Sequence, residues 1–211
     1  MKKKLTLALA ALMATATLFT ACGKGPDVSG EYTATMNFSD FIPEEDLQTM
    51  EEVGMGFMSD LTLDVKLNLT SDNNFTFAFD STGLKEDVKS GLEANTDAII
   101  DAQLESMGVT RDQITDEVAQ AAGYESADAM FQYIADEMSS GMDGVLADAD
   151  AEFEKGSCEG TYKVVKDSVV FVSQTEDGTG LDKATIGDDG SHSLTTDIEG
   201  EAYTLTFTKA Q

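Results

Sequence analysis

The chain has 211 residues and carries 40 Asp and Glu against 13 Lys and Arg, a formal charge of −27 with its single His neutral. A surface of that sign repels nucleic acid and anionic lipid headgroups, so neither is an expected partner. Two cysteines and one histidine leave no material for a disulfide framework or a His-rich metal site. The sequence also lacks His-Glu-x-x-His, Gly-x-Ser-x-Gly, Ser-x-x-Lys and Walker patterns.

Residues 1–21 begin with three lysines, continue in an apolar run from Leu5 to Phe19 and end in the small residues Thr20 and Ala21, the tripartite layout of an export signal. The run, about 15 residues, is short of the ~20 that a membrane-spanning helix needs. Phe19-Thr20-Ala21-Cys22 resembles the lipobox read by lipoprotein signal peptidase, with Phe19 where Leu is usual. The resemblance implies cleavage before Cys22, a diacylglyceryl group on that thiol and tethering to the outer face of the cytoplasmic membrane, since two acyl chains suffice for stable anchoring. An ordinary secretory signal cut after Ala21 is the alternative. Loss of Lys2, Lys3 and Lys4 with the signal leaves 10 of the 13 cations against all 40 carboxylates, a formal −30. With Cys22 lipidated, Cys158 has no partner in the chain and reads as a small strand residue, because only Lys155 is near enough in sequence to lower its pKa. Residues 22–28 read as the lipidated cysteine and a Gly/Pro linker, GKGPDV, of at most ~20 Å.

Period-two alternation marks strands from residue 29 onward. The first runs over 30–38 with Tyr32, Ala34, Met36 and Phe38 inward. A short helix over 43–53 follows, with Pro43 in its first turn and Leu47, Met50 and Val53 on one side. In 61–69, Leu61, Leu63, Val65, Leu67 and Leu69 share one face and polar residues the other. After Ser71-Asp72-Asn73-Asn74, Phe75, Phe77 and Phe79 alternate in turn, so the two runs predict a hairpin.

From 84 to 153 the period becomes helical. Leu84, Val88, Leu92 and Ile99 form one stripe. Thr110 and Gln113 form a capping box before Ile114 and Val118. Gly123 closes that helix, Ser126 caps the next with Met130, Phe131, Ile134 and Met138, and a last helix carries Met142, Val145, Leu146, Ala149 and Phe153. Asp148, Asp150, Glu152 and Glu154 read as its solvated face. Five further strands are predicted: 160–165, 169–174, 184–186, 193–198 and the alternation Tyr203, Leu205, Phe207. His192 falls in the turn before the fourth of these, and Glu176, Asp177, Asp188 and Asp189 are turn residues. The fold class is therefore α+β: an antiparallel up-and-down barrel or curved sheet of about eight strands, with a helical insertion at 84–153 between the third and fourth.

The segments GTYKVVKDSVVFVSQ and DGSHSLTTDIEGEAYTLTFTKA resemble the small lipocalin-like domains of Firmicutes lipoproteins, mainly over 160–210. The resemblance implies an antiparallel barrel and no assigned function. The expected role is a non-catalytic binding module, monomeric and without cofactor or metal, for a small apolar molecule or a segment of another envelope protein. Met50, Met55, Met58, Met130, Phe131, Met138 and Met142 are the candidate lining, because methionine adapts to irregular apolar partners. Two other expectations stand beside it: capture of cationic partners such as lysozymes or antimicrobial peptides through the acidic surface, and a glycan-cleaving enzyme using two of the many carboxylates. The anchor is tested by intact mass: protein extracted from membranes should begin at Cys22 with a diacylglyceryl adduct, and Cys22→Ala should abolish the adduct. Wild-type protein that still begins at Met1 overturns it.

Overall fold

The computed structural model describes residues 26–173, 181–198 and 201–210. Eight strands form: β1 (Gly30–Asn37), β2 (Thr62–Leu69), β3 (Asn74–Asp80), β4 (Cys158–Val165), β5 (Ser168–Ser173), β6 (Lys183–Ile186), β7 (His192–Ile198) and β8 (Glu201–Lys209). Each bonds its neighbour in sequence and β8 returns to β1, so of the barrel and the curved sheet that the alternation allows, the chain forms the closed antiparallel barrel. Closure rests on the pairs Tyr32 with Lys209 and Thr33 with Thr208, extended by Ala210 N–H donating to Glu31 O at 2.8 Å. The β2–β3 hairpin runs in register from Asp64–Asp80 to Leu69–Phe75. Its turn places Asn73 at φ +63°, a conformation that asparagine tolerates better than most residues.

The helices are α1 (Glu44–Glu52), α2 (Thr82–Ser106), α3 (Asp116–Ala121) and α4 (Ala127–Gly156). Three of them lie between β3 and β4, as expected, while α1 with two flanking 3₁₀ turns lies between β1 and β2. The described residues divide into a barrel unit (26–36, Leu63–Asp80 and those from Asp150 onward) and a helical unit (Asn37–Thr62 and Ser81–Ala149).

The barrel interior is filled by its own alternating side chains. Phe75, Phe77, Phe207, Leu67, Leu69, Val65 and Val169 are each under 2% exposed, and burial of one such side chain stabilises by roughly 1.5–3 kcal/mol. Phe77 meets Phe79 and Phe207 edge-on, with centroids 5.3 and 6.2 Å apart, and Phe75 meets Phe171 at 4.9 Å. Val28, placed by sequence in the linker, is instead part of this core: the Tyr32 hydroxyl donates to its carbonyl at 2.8 Å. Phe38 falls just beyond β1, in a 3₁₀ turn.

Four details of the helical reading change. The two helices expected around Met138 and Met142 are one, α4, of 30 residues. Gly141 and Gly144 do not interrupt it, because a glycine costs an exposed helix only about 1 kcal/mol and no proline accompanies them. The buried stripe of α2 passes through Ile100 and Leu104, with Ile99 only half-buried. The Thr110–Gln113 capping box does form, with Gln113 Oε1 accepting from Thr110 N–H at 2.8 Å, but it starts a single 3₁₀ turn. The α-helix itself begins at Asp116, where Thr115 Oγ1 accepts from Val118 N–H.

His192 departs furthest from expectation. It is 1% exposed, not solvated, because it lies two residues before Leu194 and so shares its inward face. The ring stands edge-on to Tyr32 at 4.4 Å, and among the described residues neither ring nitrogen has a hydrogen-bond partner. Burial lowers its pKa from 6.5, and the nearby Lys209 ammonium lowers it further. The unfolded chain therefore binds this proton more readily, so the stability contributed by neutral His192 is present above pH 6.5 and is lost as pH falls through the depressed folded value. The melting temperature should drop between pH 7.5 and 5, by roughly 2–4 °C for each kcal/mol lost. His192→Leu should flatten this dependence; equal slopes in the two proteins would contradict the assignment.

Candidate functional site

Phe19, Thr20, Ala21 and Cys22 lie outside the described residues, as do Glu176 and Asp177. No described helix is long and apolar enough to cross a membrane.

All seven candidate lining residues belong to the helical unit. Met50 sits on α1, Met55 and Met58 at the 3₁₀ turn Gly56–Asp60, and Met130, Phe131, Met138 and Met142 on α4. Every one is half-buried; none belongs to the fully covered core. Two glycines lay the first group against α2. Gly54, at φ +77°, brings its backbone so close that a Cβ would stand 2.9 Å from the Ile99 amide nitrogen, and a methyl on Gly91 would overlap the Phe57 ring.

Helices α2 and α4 run antiparallel. Lys89 in the first half of α2 bonds Asp143 in the second half of α4 at 3.0 Å. At the other end, Arg111 holds Asp101 through Nε at 2.6 Å and Asp97 through Nη2 at 3.1 Å. The guanidinium also lies 4.6 Å over the Phe131 ring, a cation–π contact that fixes the start of α4. Asp101 beside it pushes the Arg111 pKa up.

Around Arg111 an open cleft of about 300 Å³ is lined by Asp101, Glu105, Thr110 and Asp112. Its one cation is already committed to carboxylates. Of the carboxyls elsewhere, Asp27, Glu117 and Asp189 are held low by hydrogen bonds from Ser29, Thr115 and Ser191, opposite to what a general acid requires. Among the described residues no group of three His, Cys, Asp or Glu is arranged to hold a metal; Glu152 of the acidic run on α4 bonds Lys155 at 2.7 Å. Cys158 packs half-buried against the barrel core, and burial raises its pKa, which disfavours the reactive thiolate.

Among the described residues, the large apolar side chains left in water are unevenly divided. Val53, Met107, Val118, Tyr133 and Val145 are exposed in the helical unit, against Val172 in the barrel. No family model, curated protein or solved structure matches the chain.

Because Phe57 sits where a side chain at Gly91 would go, Gly91→Ala should destabilise the helical unit by about 1–3 kcal/mol, reversing the gain of about 1 kcal/mol expected from helix propensity. Chemical denaturation checks the sign, and a stabilised variant would show that the Phe57 contact is not a constraint.

Proposed function

We propose that the chain is a non-catalytic binding protein, tethered through lipid on Cys22 to the outer face of the cytoplasmic membrane, which docks a segment of an envelope protein on its helical unit. The observation carrying this reading is the contrast in burial. Inward positions of the barrel are filled by Phe75, Phe77, Phe207 and their neighbours, whereas Met50, Met55, Met58, Met130, Phe131, Met138 and Met142 keep part of their surface in water. A row of half-buried apolar side chains on one helix offers surface to a partner, and methionine adapts to the shape of that partner. Carriage of a small apolar molecule inside the barrel has less support, since those phenylalanines would have to vacate a closely packed core.

Photo-crosslinking in intact cells tests the docking surface. A photoreactive residue at Met138 or Met142 should give discrete protein adducts that are absent when it replaces Val172, an exposed barrel position. The absence of adducts at the methionine positions, or the same adducts at Val172, would refute the reading.

A further inference from the structure

We infer that the segment docked on the helical unit is a cationic amphipathic helix, which seats its apolar face on α4 and its Lys and Arg side chains among the surrounding carboxylates. This deepens the docking reading and rests on it.

The first argument is the α4 stripe. Met130, Ile134, Met138 and Met142 follow one another at four-residue steps and are all half-buried. At about 100° per residue, Val145 falls within about 20° of both Ile134 and Met138, yet it is 59% exposed. The stripe is thus uncovered at its C-terminal end, and its other members keep part of their surface in water. From Met130 to Val145 it extends about 22 Å, the length of a four-turn helix, and rows of side chains spaced four apart form the ridges against which a second helix packs.

Charge supplies the second argument. Within Asn37–Thr62 and Ser81–Ala149 the sequence holds 22 Asp and Glu against three cations, a formal −19, so most of the whole chain's −27 resides here. Lys89 and Arg111 are bonded to Asp143, Asp97 and Asp101, and Lys85 is engaged as well. Exposed Glu137 sits one residue before Met138, at the margin of the stripe. A partner carrying positive charge relieves this concentration of carboxylates and is steered to it.

The third argument is exclusion. Among the described residues the barrel is closed between β1 and β8, which leaves no open sheet edge there for an extended peptide to join. A second copy of this chain brings charge of the wrong sign.

The chain has no tryptophan, so a single Trp in a probe peptide reports its own burial. The probe is a Leu/Lys helix of about 18 residues with Leu at helical spacing and one Trp on that face, mixed with the mature chain, residues 22–211, in ~0.15 M salt. A blue shift with saturable binding is expected. A Lys/Ser peptide of equal charge and a Leu/Glu helix should each bind at least about tenfold more weakly. Val145→Lys, at an exposed position, should weaken the Leu/Lys helix about tenfold without altering the melting temperature. Equal binding of the Leu/Lys and Lys/Ser peptides, preference for Leu/Glu, no binding of Leu/Lys, or indifference to Val145→Lys overturns the proposal. If adducts still form at Met138 and Met142 in cells while the Leu/Lys helix fails, the partner chemistry is wrong and the docking surface stands. Failure of both removes the surface itself.

Discussion

Closure of the sheet between β1 and β8 is the constraint on which the barrel depends. An open eight-stranded sheet with this alternation would leave one apolar face in water and two unpaired edges. Pairing Tyr32 with Lys209 and Thr33 with Thr208 removes both problems and converts one face of every strand into a common interior. That interior then admits only what its residues leave, and here phenylalanine, leucine and valine fill it. The same closure holds the start of β1, where Lys209 Nζ donates to Ser29 O at 2.9 Å and Tyr32 secures Val28.

Most of this was legible in the sequence because a strand repeats every two residues and each barrel strand is half apolar. Leu61 to Leu69 and Phe75 to Phe79 specify their own register, since a slip of one residue would send every large side chain outward. Helix limits were harder to read. Ser139-Ser140-Gly141 resembles a break, but only proline removes a backbone donor, so α4 continues. Thr110 and Gln113 carry a genuine cap, yet a cap fixes only where a turn begins and does not dictate how long the helix continues. Val28 was hidden by its Gly/Pro surroundings. His192 was masked by the preceding Asp-Asp-Gly-Ser, although counting back two residues from Leu194 would have placed it inward. The candidate methionines could be grouped by helical period, whereas their shared half-burial depends on tertiary packing that no periodicity encodes.

The two units divide the physical labour. The barrel packs Phe75, Phe77, Phe171 and Phe207 into its own interior. The helical unit buries Leu84, Val88, Leu92, Ile100, Leu104 and Leu146 and is aligned by a few explicit devices: the close approaches at Gly54 and Gly91, the Lys89–Asp143 pair, and Arg111 bridging two carboxylates and the Phe131 ring. Exposed ion pairs contribute little stability individually, so they act chiefly to align α2 with α4.

Pairing the first strand with the last also governs how the chain acquires its structure. Contacts that close the barrel join residues as far apart as 180 positions, and separations of that order make folding slow. A chain delivered N-terminus first must therefore wait with β1 unpaired on its β8 side until the final strand emerges. During that interval the 22 carboxylates of the intervening helical segments give neighbouring unfinished chains like charge, which opposes their association.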